Sequence, residues 1–256
     1  EFNMTAIVLS IVLFIAIISP VQGEQPKIHA CYTNWFPYSY IKNREPTGFS
    51  IQLYNAVMKR AGIEISYSQR PWLRCLEEFD KGLFDAVVDG AALVPKSLNA
   101  VQGPTPWVMS FWVHKDRSDV AFTGYSQFDQ KVVGYVRGYT YPQTFFDYNG
   151  FKKFQGVTED IQGLRMLNAK RFEVFFGDLL NNTSLVRRYN LQVKPIDPPV
   201  ETTFLTLSIS ETLPQLHNKF ETTLYAMYED GSLDTLYKQY FNMTYKEILE
   251  EFGKGQ

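Results

Sequence analysis

Metal-binding side chains are scarce in this chain of 256 residues, which holds two cysteines and three histidines. His29, His114 and His217 lie far apart and show no ligand spacing, which argues against a metal site. Positive charge is not in excess either. Lys and Arg number 25 against 27 Asp and Glu, for a net charge of −2 and a pI near 6.0. Phosphate binding leaves a strongly basic footprint, so nucleic acid is excluded as the main partner. No nucleophile motif and no phosphate-cradling glycine loop is present, so the sequence names no catalytic residue and no cofactor. Past the N-terminal segment, no apolar run reaches the roughly 20 residues that a membrane-spanning helix needs.

What the chain does contain is enough apolar material for a sizeable core, 45% of residues being hydrophobic. The 20 Phe and 16 Tyr are mostly expected in that core, with some left to line a cleft. Positions 4 to 23, MTAIVLSIVLFIAIISPVQG, carry an apolar run from Ala6 to Ile18 and then Pro20 and Val21-Gln22-Gly23. That pattern reads as a secretory signal cleaved after Gly23, although no Lys or Arg precedes it. Glu1-Phe2-Asn3 precede Met4 and are set aside with it. Residues 1–23 therefore stand outside the folded unit. The mature chain is expected in the periplasm, soluble and monomeric, and its two cysteines sit in an oxidising compartment.

One stretch, RPWLRCLEEFDKGLFDAVVDG at 70 to 90, reads as a proline-led helix, a glycine stop and a buried strand. Its inward stripe is Trp72, Leu76, Phe79 and Leu83, and Pro71 fits the first helical turn. A weaker copy stands at 158 to 178, TEDIQGLRMLNAKRFEVFFGD. At a constant offset Leu76 superposes on Leu164, Phe79 on Leu167, Phe84 on Phe172 and Asp85 on Glu173. Before the first copy come strand KIHACYT, the aromatic loop NWFPYSY, a helix from Phe49 to Ala61 stopped at Gly62, and strand IEISYS. Before the second comes strand KVVGYV, and after it a helix through Leu185 and strand LQVKPI. The tail from Pro214 to Phe241 reads as helical with a break at Gly231. Strands alternating with helices imply parallel sheets with right-handed crossovers, here in two similar lobes. FWVHKD at 111 to 116 and TFLTLSIS at 203 to 210 are the extended segments best placed to cross between them.

Four motifs in order give a resemblance. They are PYSY followed by TGF; PWxRxL closing on GxxDA; GYxYP after the first strand of the second half; and DGSLDxLYxxY near the end. Together they resemble the bacterial extracellular solute-binding proteins of family 3, the receptors of amino-acid-type ABC transporters. The resemblance implies an α/β, two-lobed type II periplasmic-binding-protein fold, each lobe a sheet flanked by helices and joined by two crossing hinge segments. Lobe one would be 24–115 with 205–256, and lobe two 116–204. It also implies a small polar or amino-acid-like ligand in the cleft and a membrane ABC permease as partner. Ligands in open α/β sheets bind beyond the carboxyl ends of the strands, which places the site similarly.

On that basis Trp35, Phe36, Tyr38, Trp72 and Arg74 are expected to face the ligand from lobe one, and Tyr139, Thr140, Tyr141 and Asp178 from lobe two. The acid matching Asp178 commonly holds the ligand amino group in the family; its bland alternative is capping the next helix. Members that bind α-amino acids carry Thr-x-Thr-x-x-Arg after the third strand, and the arginine grips the carboxylate in a two-pronged contact. Here the run is AALVPKS, with Ala92, Val94 and Ser97 at those positions. Lys96 is adjacent but lacks the planar fork, which leaves Arg74 as the expected substitute. The family strand order would bring Cys75 above Cys31, either as a disulfide or as two buried thiols. The alternative function is an enzyme on the same fold, such as a dehydratase of a cyclic carboxylic acid, with an acid or base such as Asp89, Glu159 or Glu173. A receptor-kinase sensor domain would need a membrane helix or signalling domain, and none follows up to Gln256.

Overall fold

A computed structural model describes residues 25–90, 94–118 and 121–253. The leader read over 4–23 and Ala92 lie outside the described residues. In chain order the strands and helices are β1 (Lys27–Tyr32), β2 (Tyr40–Lys42), β3 (Glu45–Thr47), α1 (Phe49–Ala61), β4 (Glu64–Gln69), α2 (Trp72–Asp80), β5 (Ala86–Gly90), β6 (Ser97–Leu98) and β7 (Thr105–His114). There follow β8 (Val132–Val136), α3 (Gln143–Asp147), β9 (Lys153–Val157), α4 (Asp160–Asn168), β10 (Val174–Asp178), α5 (Leu179–Tyr189), β11 (Val193–Pro195), β12 (Glu201–Ser210), α6 (Pro214–Glu229), α7 (Asp234–Phe241) and α8 (Tyr245–Phe252).

The repeat read from the sequence is realised residue for residue. Shifting α2 and β5 by 88 positions gives the bounds of α4 and β10. Each copy feeds a parallel sheet. β1 pairs in parallel with β4 and β5, and β8 pairs in parallel with β9 and β10. A helix between parallel neighbours is the connection that such a sheet requires. α1 stops where expected, because Gly62 takes the left-handed conformation at φ 66° and its N–H satisfies the last carbonyls.

Two antiparallel strands join the halves, so that one path runs β4-β1-β5-β12-β7-β10-β8-β9. β7 and β12 pair with each other from Thr105↔Leu205 to Met109↔Glu201. From Met109 onward β7 pairs with β10, and from Thr206 onward β12 pairs with β5. The first crossing therefore lies at 105–109, upstream of the expected 111–116, because residues 111–113 are already committed to β10. The second crossing lies at 201–205, overlapping the expected 203–210.

Three further differences have local causes. Leu83 is 63% exposed rather than inward, because α2 ends at Asp80 and Gly82 at φ 73° carries the chain out of helical register. Pro71 is the N-cap and not the first helical residue, and Cys75 takes the buried place beside Phe79. Helix α8 was not expected; Thr244 and Glu247 start it with a capping box, a signal present in TYKE. Cys31 on β1 and Cys75 on α2 form a disulfide, which closes the alternative that the sequence leaves open. The bridge is sealed by Phe79, Phe84, Val87 and Val94.

Candidate functional site

The loop after β1 and the first turn of α2 lie at the carboxyl ends of the first sheet, facing the loop after β8 from the second. Across this gap the Trp72 indole N–H donates to the Gly138 carbonyl at 2.8 Å. Gly138 is at φ 83°, and a Cβ there would stand 2.6 Å from Leu73 Cδ2, so a side chain would be strained and would also press on α2. Beside this contact is a cavity of about 40 Å³. Trp35, Trp72, Tyr139 and Thr140, all expected at the site, line it together. Asp89, Trp107 and Thr33 add their side chains, with Val88 and Leu205 as apolar wall. That space holds a few water molecules, so a larger solute needs the two sheets to part.

The rings are held by each other and by the core. Trp35 stacks on Tyr38 at 4.1 Å between centroids, and Tyr139 meets Trp35 at 6.4 Å and Trp107 at 6.0 Å edge-on. Tyr38 itself is fully buried and donates to the Pro106 carbonyl at 2.9 Å, so it backs Trp35 and is not among the described residues that line this cavity. Tyr141 does the same in the second sheet: its hydroxyl accepts from Val136 N–H at 3.0 Å and donates to the Phe176 carbonyl. Phe36 belongs to a second cavity, of about 450 Å³, that Lys42, Glu159, Asp160 and Arg188 also line. There the Arg188 guanidinium lies 4.9 Å above the Phe36 ring.

Two charged candidates are placed away from the ring-lined cavity. Arg74 has 66% of its side chain exposed and pairs with Glu78 at 2.6 Å. The i,i+4 spacing puts that partner one turn along the same outer face of α2, so the expected carboxylate grip has no support in this geometry. Arg74→Ala is expected to leave ligand affinity within twofold and the unfolding midpoint unmoved, as read by calorimetry and denaturant titration. Asp178 is 1% exposed and caps α5; its carboxylate accepts from the Asn181 N–H and from the Val108 N–H at 3.2 Å. Burial pushes its carboxyl well above the usual range, and the neighbouring Asp160 pushes it further. Asp178→Ala should cost about 1–3 kcal/mol of stability by freeing buried donors on α5 and β7, measurable by urea unfolding.

Two acids not expected to face a ligand stand beside the cavity. Asp89 entered only as a possible enzyme acid, yet it ends β5 against the cavity at φ 54°, a conformation that Asp tolerates better than most residues. Its Oδ1 accepts from Thr105 Oγ1 at 2.7 Å and Tyr54 OH at 3.1 Å, while Oδ2 has no partner among the described residues. Burial pushes this carboxyl up to about 6, against hydrogen bonds that hold it down. The available signal was VVDG, an acid closing an apolar strand. Asp160, in the first turn of α4, accepts from Tyr139 OH at 3.2 Å and is pushed up to about 7 by burial. Of the other two enzyme candidates, Glu173 accepts the Val132 N–H at 3.0 Å and Glu159 borders the second cavity.

Two α/β lobes on a pair of crossing strands, with an aromatic cavity bounded from both, define a bilobed binding protein of the type II periplasmic kind. Residues 28–243 match the bacterial extracellular solute-binding proteins, family 3, and the chain belongs to that family. A curated relative, the probable amino-acid-binding protein YxeM of Bacillus subtilis (strain 168), is 20% identical over 81% of this chain and 80% of its own length. Among solved structures, one concerned with glutathione import via GshT and the cystine ABC importer TcyBC of Streptococcus mutans superposes at a TM-score of 0.75. It has 18% identity and covers 87% of this chain and 97% of that one. An ancestral arginine-binding protein bound to arginine gives 0.71 at 18% identity, covering 84% and 98%. A histidine kinase sensor domain with similarity to periplasmic binding proteins gives 0.74 at 14%, covering 86% and 98%. At these identities the structural likeness establishes the fold alone.

Proposed function

We propose that this protein is a periplasmic receptor that captures a small amino-acid-like solute in the interlobe cavity and delivers it to a membrane ABC permease. It binds and does not convert. Family membership supports this reading, as does the amino-acid-binding relative. The observation that carries it is the cavity walled by Trp35, Trp72 and Asp89 from one side and Tyr139 and Thr140 from the other, beside the Trp72–Gly138 hydrogen bond. We take the lobes as 24–115 with 205–256 and 116–204, in keeping with strands β7 and β12 as the two connections. Phe36, Tyr38, Tyr141 and Asp178 then support the cavity wall, and Arg74 is a surface residue.

A solute that touches both walls stabilises the closed arrangement by its differential affinity, and one that touches a single wall cannot. The free protein is therefore expected to open about β7 and β12. Saturating ligand should give a smaller radius of gyration by small-angle scattering. The ligand is to be found first by a melting screen over metabolites, since binding to the native state alone raises the midpoint. Identical scattering curves with binding confirmed would refute closure, and conversion of the bound compound would refute the receptor reading in favour of an enzyme.

A further inference from the structure

The interlobe cavity combines one carboxyl group with four aromatic rings, and no Lys, Arg or His stands among its described lining residues. From this juxtaposition we infer that it selects a small organic ammonium ion bearing no free carboxylate. The inference rests on the solute-binding reading and narrows its ligand class. Asp89 lines the cavity and is 7% exposed; the Ser50, Thr105 and Tyr54 hydroxyls hold its carboxylate from the core side, and its Oδ2 accepts no direct hydrogen bond from the described residues. An ammonium N–H satisfies it, and a positive charge offsets the burial that disfavours the ionised form. Trp35, Trp72, Trp107 and Tyr139 add π faces, whose negative quadrupole attracts a desolvated cation.

The surrounding charges point the same way. Asp160 lies behind the lining residue Tyr139, whose hydroxyl donates to it at 3.2 Å, so the only carboxyl group among the described lining residues is that of Asp89. The cations nearest in sequence have partners elsewhere: Arg70 and Arg74 with Glu78 at 2.7 and 2.6 Å, Lys96 with Asp80 at 2.8 Å, and Arg137 with the Gly156 carbonyl at 2.9 Å. Arg188 stands over Phe36 at the neighbouring cavity. A ligand carboxylate entering here meets the Asp89 carboxyl and no planar cationic fork, and an unpaired buried carboxylate is heavily penalised. The indole N–H groups of Trp35 and Trp107 have no partner among the described residues. They are neutral donors, matched by a hydroxyl or carbonyl oxygen on the ligand.

The test uses pairs that share a cation and differ in the carboxylate: cadaverine with L-lysine, agmatine with L-arginine, and choline with glycine betaine. Each is titrated calorimetrically at pH 7.5 into the purified chain and into Asp89→Asn and Trp72→Leu. At least one amine should bind tenfold or more tighter than its carboxylated counterpart. Asp89→Asn, with cooperative melting retained, should weaken that amine at least tenfold, and Trp72→Leu several-fold. Equal or tighter binding of the carboxylated member overturns the inference, as does an amine affinity within twofold in Asp89→Asn. Binding of only a neutral or anionic solute in the wider screen also overturns it and leaves the receptor reading standing. Absence of any ligand, with unchanged scattering throughout, overturns both.

Discussion

Removing the Cys31–Cys75 bridge, as Cys31→Ala with Cys75→Ala, is expected to lower the unfolding free energy by about 2–4 kcal/mol. The two residues are 44 apart in sequence. Closing a loop of that size in the unfolded chain is worth about 4 kcal/mol on chain entropy alone. Both side chains are fully buried, so the two substitutions also leave a small void among Phe79, Phe84, Val87 and Val94. The effect should reach the cleft. The bridge pins α2 to β1, and the first turn of α2 presents Trp72, whose indole meets Gly138 across the gap. Ligand affinity should therefore fall together with stability. Urea unfolding of the double variant measures the first effect and calorimetry the second. Oxidised protein should show no free thiol when denatured without reductant; two free thiols, or an unfolding free energy within 0.5 kcal/mol of wild type, would mean that the bridge is open in solution.

The second large effect belongs to Asp89, where stability and function are expected to oppose each other. Its carboxyl is raised from 3.8 to about 6 by burial. Between these values the folded chain holds a proton that the unfolded chain has lost. The associated stability is complete below the unfolded value and is lost as pH rises through about 6, a swing on the order of 3 kcal/mol. Asp160, raised to about 7, adds a swing of the same sign. Asp89→Asn keeps an oxygen for the Thr105 and Tyr54 hydroxyls and removes the charge. The ligand-free variant should thus be more stable than wild type at pH 8, by on the order of 1–3 kcal/mol, with the gap closing towards pH 4. An organic cation needs the ionised form, so in wild type its affinity should climb between pH 5 and 7. Denaturation at pH 4, 6 and 8, with calorimetry at the upper two, gives both curves. A variant less stable than wild type at pH 8 would show that Asp89 is a structural acid and not a site held ready at a cost in stability.

Such a cost fits the local geometry. A charged residue in the left-handed region, at the end of an apolar strand and with one oxygen unpartnered, is the kind of local conflict that accumulates at binding sites. Tyr38 and Tyr141, by contrast, have their hydroxyls bonded within the fold and conflict with nothing.

The repeat, the parallel strands, the glycine stop of α1 and the family motifs were all legible in the sequence, because each is local or recurs at a fixed period. Apolar residues at helical spacing declare their inward face wherever the helix packs, and Gly62 needs only its own φ to end α1. That Trp35, Trp72, Tyr139 and Thr140 come together at one cavity was legible for a related reason, since the carboxyl ends of parallel strands face the cleft in any such fold. What tertiary structure decided was the use of each polar group. Arg74 and Asp178 carry the same charges on paper as any ligand-gripping pair. In the structure Glu78 one turn away pairs with Arg74, and Asp178 caps α5 while also accepting from Val108 70 positions earlier, a contact that only the packing of β7 against β10 supplies. Asp89 is written in the sequence as an acid closing an apolar strand, and only the packing of Ser50, Tyr54 and Thr105 around its carboxylate sets it, buried, in the wall of the cavity. Whether Cys31 meets Cys75 was likewise a matter of how α2 crosses β1. Contacts between residues dozens of positions apart depend on the whole chain, and no local pattern encodes them.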